Sequence, residues 1–569
     1  MQENNTSPSR PSSLACIPCR RRHLKCDAIM PVCTRCQTTN TECRYVRSRR
    51  GLRSKHGRHA SSHLLDDDIS LFSTDLFSGW LNLNPGTLPS DLDIQAAQAL
   101  FQPLDVPTTL EIPPLAIPGD DALITLTEPE FTATATPGSI RSEMAYDPMI
   151  QLYYQNFHPS HPLLLPKKSL CSPLCQMIPP YIFAIMRYIG AHYYPEPAFK
   201  QTYRQQAYGV LSEQTSRDPF KVQALLLLAI IDHSHCHEES GHRLIQEAVN
   251  LALDIKMNRS WFAREHSHGY TVLEESWRRT YWELYVVDGL FAATREQNLF
   301  QLYHQRADVR LPCAEKMYNS CDSVSPTRQT LDDLLNDWTL EPTATGQSFS
   351  SFAYRINAVR NLGMALESTR SLELNLESQR EIIDARLASS LMTLPPLQGE
   401  GYDSSSHDEM IFQAQMALYL ALIYLHHPHS SIRFASFSTP PPCTRLKASR
   451  DTRAPNATEA LAPNANANPN FDLHSHKLLR AADLLSSLAT LPSSIQFRSP
   501  FFTCALAICV VVHTAAGLVA SGPGKRESLK VRVQLGIGAL NALGKVWPLA
   551  RSVRQQMLDM YQEVQTAQR

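Results

Sequence analysis

Six cysteines near the N-terminus are the residues of this chain best suited to chemistry. They are Cys16, Cys19, Cys26, Cys33, Cys36 and Cys43. Their spacing is C-x2-C-x6-C-x6-C-x2-C-x6-C, so the second half repeats the first. Thiolates at this spacing can converge on zinc, which prefers four soft ligands in a tetrahedron. Six thiolates are too few for two separate four-coordinate ions, but they suffice if two sulfurs bridge the pair.

A basic run between the second and third cysteines adds a second kind of chemistry. It consists of Arg20, Arg21, Arg22, His23 and Lys25. A small fold that is held together by metal ions and carries a cationic helix can bind DNA phosphates and base edges. The cysteines alone leave open a disulfide-bonded miniature domain or an RNA-binding zinc knuckle. A disulfide framework needs an oxidising compartment, and residues 1–14, expected to be disordered, contain no apolar signal region.

Residues 15–45 resemble the fungal zinc binuclear cluster, or Zn2Cys6, DNA-binding domain. The resemblance rests on the order C-x2-C-R-R-R-x-L-K-C-D and on Pro31, two residues before Cys33. It implies double-stranded DNA as the partner, with a CGG-like triplet read in the major groove. The chain departs from the family at His23, where Lys or Arg is usual, and this departure leaves the exact triplet open.

The same resemblance implies two Zn2+ ions bridged by the sulfurs of Cys16 and Cys33. One ion would be completed by Cys19 and Cys26. The other would be completed by Cys36 and Cys43. Arg22, His23 and Lys25 are then the candidates for base contacts, while Arg20 and Arg21 mainly hold phosphates.

The charge of the chain is divided unevenly between its first two segments. The 569 residues have a formal net charge of −1. Residues 1–58 contain 13 Lys and Arg against 3 acidic residues, whereas residues 59–140 contain 12 acidic residues and no Lys or Arg. A basic head beside an acidic neighbour indicates a nucleic-acid binder with a separate partner-binding tract. The cysteines outside the cluster show no metal spacing and are expected to be buried apolar residues.

A flexible basic linker, residues 46–58, follows the cluster. Together with Arg44, it supplies candidate phosphate contacts at Arg47, Arg49, Arg50, Arg53 and Lys55. The patch is also typical of a nuclear localisation signal, which predicts the nucleus. No heptad pattern follows it, so a homodimer would need another segment.

Residues 59–140 are expected to be disordered because they are acidic and interrupted by prolines. Aromatic and aliphatic residues between Leu71 and Leu83 are nevertheless mixed with aspartates. This mixture is typical of amphipathic activation segments, and it predicts a coactivator contact through residues 64–105. The alternative is an inert linker with a short helix.

From about residue 145 the sequence becomes strongly helical. Apolar stretches with a helical period alternate with short Pro, Gly and Ser breaks, and alternating strand patterns are nearly absent. We therefore predict a mostly all-α chain: a small N-terminal Zn2Cys6 domain, a disordered acidic segment and a large α-helical regulatory domain. A low-complexity linker is expected at 437–472, followed by helices over 473–569 that pack back onto the regulatory domain.

Residues 145–430 resemble the fungal-specific transcription factor domain. The resemblance is carried by three loose motifs in order: Glu274–Asp288, Ala307–Pro312 and Tyr424–Pro428. In that family the domain is regulatory, and its ligand is usually undefined.

Other patterns are interpreted as structural. Phe501–Val519 is almost long enough to span a bilayer, but we predict a buried core helix and no membrane association. The run from His233 to His237 is predicted to be a solvated helix connection instead of a metal site. Arg278 and Arg279 are expected to form i, i+4 pairs with neighbouring glutamates.

The sequence predicts a transcription factor, not an enzyme. It contains no phosphate-binding glycine loop, no G-x-S-x-G elbow and no H-E-x-x-H motif. The predicted function is regulation of RNA polymerase II transcription, with a metabolic or secondary-metabolite gene set as the expected target. The alternatives are a zinc-stapled protein-interaction adaptor without its own operator and a membrane-tethered protein.

Overall fold

The computed structural model describes most of the chain from residue 144 onward and two short pieces before it. The described residues are 26–27, 33–39, 144–213, 215–294, 300–321, 328–336, 349–369, 376–397, 408–432 and 469–567. The chain divides into two compact units, residues 1–70 and 71–569. The expectations for residues 1–14, 46–58 and 59–140, and for most of the linker at 437–472, lie outside the described residues.

Helices are the regular structure of both units, and the described residues contain no strand. The first unit contains α1 (Thr34–Thr38). In the second unit the helices are α2 (Pro148–Asn156), α3 (Pro180–Gly190), α4 (Ala198–Ser212), α5 (Pro219–Ser234), α6 (Glu238–Asp254), α7 (Phe262–Glu265), α8 (Thr271–Thr294), α9 (Glu315–Ser320), α10 (Leu331–Asn336), α11 (Ser351–Ser368), α12 (Leu376–Thr393), α13 (Glu409–His426), α14 (Pro469–Ser487), α15 (Phe502–Val519), α16 (Pro523–Leu543) and α17 (Pro548–Ala567). The prediction of a mostly all-α fold is confirmed.

Several helices begin at signals that the local sequence provides. Asp147 and Asp218 each precede a proline at the first helical position, and their carboxylates accept backbone N–H groups of the first turn. Asp408 and Ser350 cap α13 and α11 in the same way. These side chains accept backbone N–H groups that have no intrahelical partner at the start of a helix. Proline at the first helical position has no N–H, so it leaves no donor without a partner.

Helix α8 lies at the centre of the second unit. All of its residues from Glu275 to Thr294 are buried. It packs against α5, α6 and α11. A helix surrounded by other helices has no solvent face, so its charged residues must find partners inside the protein.

The helices after residue 469 pack against the rest of this unit. Helix α14 contacts α13, and α17 contacts α5. Helix α15 is the one described helix that is long and apolar enough to cross a membrane, but 83% of it is buried inside the unit. It contacts α14, α16 and α17, which is the packing expected of a core helix.

The expectation that all cysteines outside the cluster are buried is wrong in part. Cys175, Cys313, Cys504 and Cys509 are buried, whereas Cys171 and Cys236 are exposed. Cys171 is the last residue of the 3-10 helix Lys167–Cys171, and Cys236 lies in the short connection between α5 and α6 with a φ of 63°.

Candidate metal centre and the polar core of the helical unit

The described part of the first unit brings two of the predicted zinc ligands together. The ligand atoms of Cys26, Asp27 and Cys33 all lie within 4.8 Å of one another. Two thiolates on one tetrahedral zinc, with bonds of about 2.3 Å, lie roughly 3.8 Å apart. The Cys26 and Cys33 thiols therefore fit a shared zinc ion.

Helix α1 holds Cys33 and Cys36 next to each other. Cys33 is the N-cap, and its Sγ accepts the backbone N–H of Cys36 at 3.4 Å. Both side chains are buried, at 0% and 3% exposure. An N–H donor directed at a sulfur favours the thiolate that a metal needs and tunes the metal it binds.

Asp27 has a structural role that the sequence pattern did not indicate. Its carboxylate accepts the backbone N–H of Thr34 at 3.1 Å, seven residues along the chain. This bond satisfies the first donor of α1 and connects the Cys26 segment to the Cys33 helix. We infer that Asp27 positions the two cysteines, and that sulfur is the preferred ligand for zinc here.

The other predicted site residues lie outside the described residues. These are Cys16, Cys19, Cys43, Arg20, Arg21, Arg22, His23, Lys25, Arg44, Arg47, Arg49, Arg50, Arg53 and Lys55. Arg35, which the sequence interpretation did not single out, is exposed on α1 between the two cysteines of the second C-x2-C pair.

In the helical unit, a buried polar hub surrounds Glu283 of α8. Its carboxylate accepts from His161 Nδ1 at 2.8 Å and from the Arg355 guanidinium of α11. All three side chains are fully buried. Burial alone would raise the pKa of Glu283, but the Arg355 charge and the His161 hydrogen bond outweigh it and lower the pKa.

Residues 160–161 connect this hub to distant parts of the chain. The carbonyl of Ser160 accepts from Arg355 Nη1 and Gln413 Nε2, at 3.2 and 2.9 Å. Its hydroxyl donates to the carbonyl of Phe497 at 2.7 Å. His161 Nε2 lies 3.0 Å from the hydroxyl of Ser499. One short loop therefore joins α11, α13 and the segment before α15.

A second ion-pair group lies one to two turns earlier on α8. Glu275 accepts from Arg279 Nε at 3.1 Å and from the backbone N–H of Cys313 at 2.8 Å. Arg279 also donates to Glu315 at 2.5 Å and stacks 4.0 Å over the ring of Tyr318. The i, i+4 pairs expected of Arg278 and Arg279 form with Glu274 and Glu275. Glu283, however, pairs across the core instead.

The prediction of a solvated connection at His233–His237 is wrong for its first residues. His233 is 5% exposed, and its ring stacks on Phe501 with centroids 4.8 Å apart. Ser234 is fully buried. The sequence did not show that α15 would cover the end of α5, because that contact joins residues far apart in the chain.

Comparisons with known proteins agree with both units. The profile of the fungal Zn(2)-Cys(6) binuclear cluster domain matches residues 14–52. That of the fungal specific transcription factor domain matches residues 150–394. No solved structure matches the chain.

Two curated proteins are similar to this chain over most of its length. The C6 finger domain transcription factor iacK of Pestalotiopsis fici is 30% identical over 99% of this chain and 82% of its own length. The tropolone cluster transcription factor tropK of Talaromyces stipitatus is 22% identical over 76% of this chain and 82% of its own length.

Proposed function

Because the chain belongs to the fungal Zn2Cys6 transcription factors, we propose that it is a nuclear, zinc-dependent regulator that recognises CGG-like triplets near a biosynthetic gene set. Membership of this family makes it a zinc-binding, DNA-binding regulator of transcription and not an enzyme. The gene set is proposed because one relative is named as the regulator of a tropolone cluster.

The observation that carries the proposal is the convergence of the Cys26 and Cys33 thiols within a segment that matches the zinc cluster domain. We infer two Zn2+ ions, with Cys16 and Cys33 as bridges. The geometry supports the part of this arrangement in which Cys26 and Cys33 share one ion, because their sulfurs lie close together. When bound, the zinc supplies the folding free energy that so small a segment lacks.

We infer that the basic residues divide into two groups on DNA. Arg22, His23 and Lys25 would contact base edges, since cationic donors match guanine O6 and N7. Arg20, Arg21 and the basic residues from Arg44 to Lys55 would hold phosphates, and exposed Arg35 joins them. Phosphate contacts set affinity and register but carry little sequence information.

We further propose that residues 64–105 contact a coactivator. The support is the run of aromatic and aliphatic side chains in a tract that has acids and no Lys or Arg. Burial of these side chains in a coactivator groove would provide the affinity. A homodimer would have to form without a heptad coiled coil after the basic linker.

Genome-wide chromatin occupancy of the full-length protein tests the main proposal. We expect peaks enriched in CGG triplets in the promoters of one contiguous gene set. An Arg22→Ala variant should lose these peaks, while its nuclear level stays unchanged. Occupancy that survives Arg22→Ala and follows another DNA-binding protein would instead support an adaptor without its own operator.

Activation is tested separately by fusing residues 64–105 to an unrelated DNA-binding domain. We expect reporter activation that is lost when Phe72, Phe77 and Trp80 are changed to Ala. A silent reporter with the unaltered segment would contradict the coactivator proposal and favour an inert linker.

A further inference from the structure

A cleft of the helical unit carries cations in its lining and, among the described residues, no carboxylate. Its volume is 270 Å³, and the residues that line it are Tyr188, Lys200, Gln201, Arg204, His235 and His237. Tyr188 belongs to α3, the next three residues belong to α4, and the two histidines follow α5. Helix α3 packs against both α4 and α5, so the walls of the cleft are elements fixed by packing.

The two cations of the cleft lack a counter-charge. Lys200 and Arg204 are four residues apart on α4 and therefore lie on the same face of the helix. Neither forms an ion pair within the described part of the chain. The Arg204 guanidinium instead lies 5.3 Å from the ring centroid of Tyr208, and its Nε is buried without an acceptor among the described residues. A shielded cation without an acceptor favours an anionic ligand.

Neighbouring charges leave the cleft positive. Burial lowers the pKa of Lys200, and the charge of Arg551 on α17 lowers it further, so an anion beside Lys200 would relieve both costs. Asp232, the acid nearest His237, does not line the cleft. It is 2% exposed, accepts from the hydroxyl of Tyr208 and lies 3.6 Å from His237 Nδ1. Its charge is therefore engaged on the protein side.

Two aromatic rings form the uncharged wall of the cleft. The rings of Tyr188 and His235 have centroids 6.4 Å apart. Both nitrogens of His235 already have partners: Nε2 lies 3.0 Å from His192 Nε2, and Nδ1 lies 2.9 Å from the carbonyl oxygen of Ile231. His235 therefore offers carbon surface to a ligand. Burial raises the pKa of Tyr188 to about 12, so its hydroxyl remains a neutral donor.

We propose that this cleft binds a small organic dicarboxylate. The planar guanidinium of Arg204 matches one carboxylate, and the ammonium of Lys200 binds the other as a point charge. The carbon chain between them would pack on the rings of Tyr188 and His235. At about 30 Å³ for each water-sized group, the cleft holds roughly nine such groups, which is about the size of a four- or five-carbon dicarboxylate. Binding here does not require the zinc cluster.

Equilibrium dialysis of the full-length, zinc-loaded protein against radiolabelled succinate tests the site. The buffer contains salt near physiological strength, which screens weak binding to exposed charges. We expect one succinate bound per chain. Succinamide, a neutral analogue of the same length, should not compete. Inorganic phosphate should compete at least about tenfold less well, because it cannot reach both cations and also pack on the rings.

The variants change the charge of the cleft with little effect on packing. Gln201 is exposed, so Gln201→Glu adds a carboxylate to the lining without removing a buried side chain. This variant should weaken succinate binding at least about tenfold while the circular dichroism spectrum stays unchanged. Arg204→Gln should do the same. Arg217→Gln is the matched control, because Arg217 is an exposed cation that already pairs with Asp254 at 2.6 Å, and it should leave succinate binding unchanged.

Four results would overturn the proposal. One is an absence of binding to the wild-type protein at about 10 mM succinate, where a site with a dissociation constant of about 1 mM is roughly nine-tenths filled. Equal competition by succinamide would contradict the ionic contacts, and equal competition by phosphate would contradict the dicarboxylate. Unchanged binding by Gln201→Glu would place the anion elsewhere, such as on the basic N-terminal segment. If Arg204→Gln alters the circular dichroism spectrum, the exposed Gln201→Glu variant still decides the question.

Discussion

The cysteine segment and the Glu283 hub both bury polar atoms. The two regions offset the cost of that burial in different ways. In the first, the Cys33 and Cys36 thiols are buried in a segment too small for a hydrophobic core. Thiolates need an external cation, and zinc supplies it. In the second, Glu283 meets Arg355 and His161 within the chain itself. The first region therefore depends on metal supply and the second on correct packing.

The two regions also differ in how far apart their partners lie in the chain. Asp27 and Thr34 are seven residues apart, and Cys33 and Cys36 three. Glu283 lies 72 residues from Arg355, and Ser160 bonds to Phe497 across 337 residues. A local site can be read from spacing, whereas a hub of distant partners forms only when the helices pack. Metal removal should therefore unfold the first region and leave the second intact, whereas a substitution in the hub should destabilise the second and leave the first intact.

The largest effect is expected from zinc removal. Chelation, or Cys33→Ala, should unfold residues 15–45, because zinc binding supplies roughly 10–16 kcal/mol to such small domains. DNA binding should be lost, while the thermal unfolding of the helical unit stays the same. Metal analysis with calorimetry measures both. A fall in the unfolding temperature of the helical unit would show that the units depend on each other.

A substitution in the hub should have the opposite pattern. Glu283→Gln leaves the buried Arg355 charge without its partner, which costs about 3–5 kcal/mol of unfolding free energy. Zinc content should not change. Because the pKa of Glu283 is lowered, its ionised form stabilises the fold above about pH 4.3, and this stabilisation is lost as the pH falls further. The cost of the variant should therefore shrink in acid.

An exposed ion pair is the control for this variant. Asp254 pairs with Arg217 at 2.6 Å, but both side chains are more than 60% exposed. Asp254→Asn should change the unfolding free energy by about 0–1 kcal/mol. Urea unfolding of both variants gives the comparison. Equal costs would mean that burial does not distinguish the hub from the surface.

Asp288 provides a smaller test, in which stability is lost as the pH rises and not as it falls. Burial raises the pKa of its carboxyl to about 7, even though it accepts the N–H of Leu302 at 2.9 Å. The protonated form is therefore favoured by folding, and its contribution to stability is lost as the pH rises from about 4 to 7.

Asp288→Asn removes this titration. Its stability relative to wild type should improve between pH 5 and pH 8 by roughly 1–3 kcal/mol. Thermal unfolding at the two pH values measures the change. A constant difference between the two proteins would show that Asp288 is ionised in the folded protein throughout this range.

The smallest effect is expected at His23, which we propose as a base contact of the cysteine segment. Lys offers three donors and a fixed charge, while neutral imidazole offers one donor. His23→Lys should tighten binding to a CGG duplex by about 1 kcal/mol near pH 7.5. The gain should shrink near pH 6, because His with an ordinary pKa of about 6.5 becomes charged.

Arg50→Ala is the matched phosphate variant. It should weaken binding to CGG and scrambled duplexes about equally. The slope of the logarithm of the binding constant against the logarithm of the salt concentration should become shallower by roughly one. Binding curves at two pH values and two salt concentrations compare the variants. If His23→Lys leaves the preference for CGG unchanged at both pH values, residue 23 does not contact a base.

The helices that the sequence predicted best are those with long apolar runs. Helices α5, α8, α13 and α15 coincide with stretches in which the apolar periodicity of the sequence indicates a helix. Helix α4 gives a weaker apolar signal, because few of its residues are buried; these are Ala207 and Leu211. A mostly exposed helix carries a weak apolar signal, and its position is decided by the helices it packs against.

The sequence by itself determined the family, the helical class and the cysteine set, because each depends on residue types at short spacing. Only the tertiary structure showed that Asp27 accepts the first N–H of α1, that Glu283 meets His161 and Arg355, and that His192 faces His235. Each of the last two joins residues 43 or more positions apart. Their partners are chosen by which helices share a buried face, because a buried polar atom must bond to whatever group packing places beside it.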